Sequence, residues 1–228
     1  FHLHIYPKYD LAALISSLGK NLSQLRAGLK SPASQATLTA FLTERHDCDL
    51  FTALRQGELT LPVGVTVTPT TEPECLLINT GFLEILLFAG RQINTRERIE
   101  LLSVTGIDLI PDGLPLAETI EMIRAQGGIP AISWAPGKWL FGRGRLVHEA
   151  IIKQTAPLLL CDTSLRPDTW TVPKLIQLGI DQGLKVLAGT DPLPFDGQEL
   201  IAGSYGSLVE FDLDLKRPVS SIRQALGS

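Results

Sequence analysis

Between Pro115 and Asp191, short apolar segments alternate with segments of helical period, and this alternation constrains the fold more tightly than any other feature of the chain. "PLAETIEMIRAQGG" sets Leu116, Ile120 and Ile123 on one helical face and stops at Gly127-Gly128, a helix-ending signal. "IPAISW" then reads as a strand, "RLVHEAIIKQ" as a helix, "PLLLCD" as a strand, "TVPKLIQLGIDQG" as a helix capped by Thr171, and "LKVLAGTD" as a strand. Strands that are apolar throughout need cover on both faces, which implies a parallel sheet clad in helices.

The first half carries similar signals. "FHLHIY" reads as a strand, and "DLAALISSLGKNL" places Leu11, Leu14, Ile15, Leu18 and Leu22 on one helical stripe behind an N-cap, Asp10. "TLTAFLTE" predicts a strand, "DLFTALRQG" a short helix, and "PVGVTVTP" a strand rich in β-branched residues. "CLLINTGFLEILLFAG" predicts a hairpin turning at Asn79-Thr80-Gly81, while "RQINTRERIELLSVTG" is ambiguous. Six or seven such strands in 228 residues point to one closed α/β barrel rather than an open doubly wound sheet. A hydrophobic content of 44% supports one large core, and we expect a single domain over residues 1–228.

Charge and cysteine usage narrow the function. A net charge of -4 without a basic run argues against a nucleic-acid surface as the main function, and any bound anion is expected to be small. Cys48, Cys75 and Cys161 are odd in number and free of C-x-x-C, which suits reduced thiols and a cytoplasmic setting. No apolar run reaches the roughly 18–20 residues of a membrane span, and no basic segment followed by an apolar one opens the chain. Phe1 in place of Met leaves room for upstream sequence.

The chemistry of such folds lies at the C-terminal ends of strands. There the chain offers His2 and His4, then Glu44, His46 and Asp47 in "LTERHDCD", Gln92 and Glu100, Ser133, Asp162, and Asp191 in "LAGTDPLP". On an extended strand His2 and His4 project side by side, a spacing that suits two ligands of one metal. Three imidazoles and several carboxylates make a ligand set for zinc, manganese or iron. Competing readings stand beside these: Asp10 as an N-cap, Asp162 and Asp191 as turn residues, His46 as a solvated side chain. His148 lies mid-helix and is expected away from the site. In "APGKWLFGRGRL", Lys138, Arg143 and Arg145 can bind a phosphate or carboxylate near a helix N-terminus, or form a solvated basic loop.

The order "HLHIYPKYD", "FLTERHDCD", "AGRQINTRERIELL", "PLAETIEMIRAQGGIPAISWAP" and "GLKVLAGTDPLP" resembles the polymerase and histidinol phosphatase (PHP) superfamily over most of the chain. The resemblance implies a distorted seven-stranded TIM-like barrel and a site of up to three metals that hydrolyses phosphate esters. It places His2, His4, His46 and Asp191 on ligand positions, with Asp10 as a further candidate. Gln92 stands where the family has glutamate, Ser133-Trp134 where it has His-Pro, Leu193 where it has the last histidine, and Glu100 about where another histidine is usual. Neutral Gln92 cannot bridge two cations, so fewer ions than a complete site are expected.

The expectation is therefore a metal-dependent phosphoesterase with a reduced site. Asp191 serves as ligand and proton acceptor, His2, His4, Asp10, His46 and Glu100 as metal ligands, and Gln92, Lys138, Arg143 and Arg145 contact a small anionic or phosphorylated substrate. The alternatives are a single-metal amidohydrolase-like enzyme and a non-catalytic fold that binds a small anion or a protein.

Overall fold

Helix α1 (Leu11–Ala27) starts where the sequence predicts, because the Asp10 carboxylate accepts hydrogen bonds from the Ala12 and Ala13 amides at 2.8 and 3.1 Å. The structure, a computed structural model, describes residues 1–30, 36–167 and 169–227. After α1 come β1 (Leu38–Phe41), α2 (Leu50–Gln56), β2 (Thr66–Pro69) and the hairpin β3 (Cys75–Asn79) and β4 (Glu84–Phe88). The hairpin turns as expected: Gly81 takes a φ of 82° and donates its amide to the Asn79 side chain at 2.7 Å.

The ambiguous stretch resolves into a second hairpin, β5 (Gly90–Asn94) and β6 (Glu100–Val104). The alternating half supplies α3 (Leu116–Ala125), β7 (Ile129–Ser133), α4 (Arg143–Lys153), β8 (Leu159–Thr163), α5 (Lys174–Asp181) and β9 (Val186–Gly189), and α6 (Pro218–Gly227) follows. Thr171 does not cap α5. The helix starts after Pro173, which has no side-chain donor or acceptor to contribute and leaves Thr171 outside the first turn.

The predicted seven-stranded TIM-like barrel does not form. Among the described residues the strands divide between a four-stranded sheet, β1-β4-β3-β2, and a five-stranded sheet, β5-β6-β7-β8-β9. Four of the seven strand pairings are antiparallel: β2 with β3, β3 with β4, β5 with β6, and β6 with β7. The physical reason lies in the connections. The connections β2–β3, β3–β4 and β5–β6 each reverse the chain within a few residues, whereas a parallel neighbour needs a crossover long enough to return along the sheet. β7, β8 and β9, joined through α4 and α5, follow the parallel pattern read from the sequence, and β1 also pairs in parallel with β4.

"FHLHIY" is not a regular strand either. Leu3 makes an isolated parallel bridge with Leu42, donating to Phe41 O and accepting from Thr43 N. On its other side His2 O accepts the Asp191 amide at 2.9 Å, so the N-terminal segment lies between the end of β9 and the chain leaving β1. His2 has a φ of 55°, a left-handed conformation that interrupts any extended run.

Three apolar clusters place the site. Between the sheets lie Phe41, Cys75, Phe88, Leu102, Ala131, Leu159, Cys161 and Leu187, joined by Val219, Ile222 and Leu226 of α6. α1 and α2 cover the outside of the first sheet, and α3, α4 and α5 that of the second. Helix α6 is anchored through Glu72, whose carboxylate accepts from the amides of Val219 at 2.5 Å and Ser220 at 3.1 Å. Glu72→Ala leaves these first-turn donors without their acceptor and is expected to lower stability by about 1–2 kcal/mol, measured by urea denaturation.

Candidate metal centre

His2, His4 and Asp191 converge although 187 positions separate His4 from Asp191 in the chain. The His2 and His4 Nε2 atoms are 3.1 Å apart, and Asp191 Oδ1 lies 3.3 Å from the first and 3.5 Å from the second. All three residues are buried. Donors about 2.0–2.1 Å from one tetrahedral ion sit roughly 3.3 Å from each other, so this triangle has the dimensions of one face of such a site. The three residues can hold a metal ion.

Local backbone conformation produces the convergence. Asp191, like His2, is left-handed, with a φ of 49°, and the two are joined by the Asp191 N to His2 O hydrogen bond. Such conformations cost on the order of 1–2 kcal/mol each in a residue other than glycine and persist where surrounding contacts over-determine them. Gly189 makes the approach possible, because a Cβ there would lie 2.0 Å from Phe1 O.

The electrostatics favour the coordinating forms. Burial lowers the His2 pKa to about 4, outweighing the attraction of Asp191, so the imidazole is neutral near pH 7 and keeps a lone pair available. Burial by itself raises the Asp191 carboxyl, but His2, a hydrogen bond with His4, and Lys138 more than offset it and bring the group down to about 2. A neutral His2 and an anionic Asp191 facing Lys138 are mutually consistent. The other His2 ring nitrogen, Nδ1, is 3.7 Å from Cys161 Sγ, and the His4 ring stacks on Tyr6 with centroids 5.5 Å apart.

Glu100 stands at the edge of the triangle. Its Oε1 is 3.8 Å from His2 Nε2 and is buried without a hydrogen-bond partner among the described residues, while Oε2 pairs with Lys138 Nζ at 2.7 Å. A carboxylate oxygen left unpaired in a protein interior is costly, and a cation beside it removes that cost. Gln92 Oε1 and Ser133 Oγ are likewise buried without partners.

The remaining predicted residues lie apart from the triangle. Asp10 caps α1 and is exposed. His46, with its side chain 62% exposed, faces Asp112 at 3.6 Å, because the chain turns just beyond Glu44. Arg143 donates to the carbonyls of Leu140 and Gly137 within its own loop, and Arg145 pairs with Glu149 one turn along α4. Asp162 is taken up by Arg166, which meets it with Nε at 2.9 Å and Nη2 at 2.7 Å. His148, read as mid-helix, lies on α4 and is exposed.

Sequence reasoning missed the role of Glu44. Instead of facing the site it accepts the amides of Leu50 and Phe51 at the start of α2, and it lies 3.5 Å from buried Arg91. Burial raises its carboxyl to about 7, against the pull of those amides and of Arg91. Arg91 in turn donates to the carbonyls of Ile107 and Cys48. A charged residue next to Gln92 in an otherwise apolar run was the available signal. All three cysteines are free, with Cys75 and Cys161 buried, and among the described residues no helix is long and apolar enough to cross a membrane.

No protein-family description, curated protein or solved structure matches this chain.

Proposed function

We propose that the chain is a metal-dependent hydrolase acting on a small anionic substrate, in keeping with the similarity of its motif order to the PHP superfamily. One observation carries this reading: two imidazole nitrogens and a carboxylate oxygen, all buried, stand 3.1 to 3.5 Å apart and face one another. Their mixed nitrogen and oxygen character suits zinc, manganese or iron. A divalent ion held there supplies Lewis acidity and lowers the pKa of water.

The chain's own groups do the rest. His2 and His4 would hold the ion through their Nε2 atoms, and Asp191 would add a negative ligand, with its second carboxylate oxygen the candidate acceptor for a proton from water. Lys138, whose side chain is 33% exposed, sits within reach of an entering phosphate or carboxylate. The same three ligands would serve a single-metal amidohydrolase-like reaction. The pairing of exposed His46 with Asp112, which leaves it out of the triangle, favours this second reading.

The test is elemental analysis of protein purified without chelator, followed by manganese and zinc titrations and assays on phosphate monoesters and on amides. One bound ion is expected, with hydrolysis that chelator abolishes and metal restores. Asp191→Ala should weaken metal affinity by about 100-fold or more, since loss even of an outer-shell partner typically costs 10–100-fold. His148→Ala should change nothing. Absence of binding at millimolar metal would overturn the reading.

A further inference from the structure

We propose that the Lys138 ammonium is a built-in second cation, which holds the centre to one divalent ion. This rests on the metal-centre reading above and adds the reason for its stoichiometry. In two-metal hydrolytic sites two cations lie close together, and here Glu100 has the bridging position between two positive charges. Its Oε1, buried and unpartnered, looks toward the imidazoles 3.8 Å from His2 Nε2, and its Oε2 is held by Lys138 Nζ at 2.7 Å. One oxygen is thus committed to the ammonium and the other is free for the ion at His2, His4 and Asp191.

The charges agree with this arrangement. Asp191 and Glu100 contribute two negative charges and Lys138 one positive, and coordinating imidazoles add none because their lone pairs bind the ion, so a single divalent ion brings the cluster to one net positive charge. A second divalent ion would bring it to three, with the ammonium in the same partly buried space, where like charges repel far more strongly than in water. Removing the ammonium changes the balance and frees Glu100 Oε2. Two neutral oxygens buried without partners among the described residues, Gln92 Oε1 and Ser133 Oγ, stand on the neighbouring strands as further oxygen ligands. Gln92 lies on β5 beside β6, and the Leu101–Ile132 pair sets Glu100 and Ser133 at neighbouring ends of β6 and β7. Such a set suits manganese or magnesium better than zinc.

The experiment is manganese stoichiometry on chelator-stripped protein, by calorimetry and by metal analysis after equilibrium dialysis, for the unaltered chain, Lys138→Met and Lys138→Arg. The expected result is one ion for the unaltered chain and for Lys138→Arg, and two for Lys138→Met. Circular dichroism reports whether each variant is folded, and Lys138→Gln replaces Lys138→Met if the latter is not. Two ions in the unaltered chain, or one ion in both folded neutral variants, overturns the inference while leaving the metal centre in place. No ion in the unaltered chain overturns the centre and the inference together.

Discussion

Gly189→Ala is expected to destabilise the protein by about 3 kcal/mol, at the upper end of ordinary overpacking costs, and to weaken metal binding by about 100-fold or more. A Cβ at this position would lie 2.0 Å from Phe1 O, 2.5 Å from Phe1 C and 2.6 Å from the His2 Cβ. Two of these atoms are backbone, so no rotamer change relieves the clash. The N-terminal segment must move away from β9, which stretches the hydrogen bond between Asp191 N and His2 O and pulls His2 from Asp191. Denaturant unfolding and a manganese titration read the two effects separately. Gly19→Ala is the control: its Cβ would meet only Leu83 Cδ1 at 3.5 Å, and alanine inside α1 should add about 0.5–1 kcal/mol. Equal stability of the Gly189 and Gly19 variants would show that the close approach at β9 does not hold the site.

Acid should destabilise the metal-free protein through His2. Its folded pKa of about 4 lies below the ordinary 6.5, chiefly through burial, so the unfolded chain takes up a proton in a range where the folded chain does not. Stability is therefore full above about pH 6.5, falls as pH drops toward 4, and levels there as far as this group is concerned. The two pKa values set the total on the order of 3 kcal/mol. Asp191, brought down to about 2, acts in the same direction but in a lower window, below the ordinary carboxyl range. Urea unfolding in chelator across pH 4 to 7 measures the slope. His2→Asn should remove it, and asparagine is the suitable replacement because it tolerates the left-handed backbone at this position. A slope unchanged in the variant would assign the acid sensitivity to other groups.

Several parts of the molecule were legible because they depend on near neighbours. The Asp10 cap of α1, the Asn79–Gly81 turn between β3 and β4, and the run from β7 through α4 and α5 to β9 are set by capping, positive φ and apolar periodicity. The group His2, His4 and Asp191 was legible by residue type, and Asp191 also by its position after β9, but the strand expected over His2 and His4 does not form. The distribution of strands was not. "RQINTRERIELLSVTG" mixes charge and apolar residues without a clear period, yet it forms the β5–β6 hairpin whose antiparallel pairing replaces the closed parallel arrangement that the rest of the chain suggests. Periodicity shows which face of a strand is apolar, and it carries no direction.

Within the site the same division holds. Sequence by itself determined which groups were available: two histidines two residues apart, an aspartate after an apolar strand, a glutamate in mid-chain and a lysine in a glycine-containing loop. Tertiary structure decided which of them meet. Glu44 and His46 come from one short segment, but the unpaired amides at the start of α2 draw Glu44 inward, while the turn after it sends His46 to solvent beside Asp112. Glu100 and Lys138 are 38 positions apart and pair because β6 and β7 are neighbours. A side chain's chemistry belongs to its residue type, but its partner is set by which buried donors and acceptors the packed backbone leaves unsatisfied, and that is a property of the assembled fold.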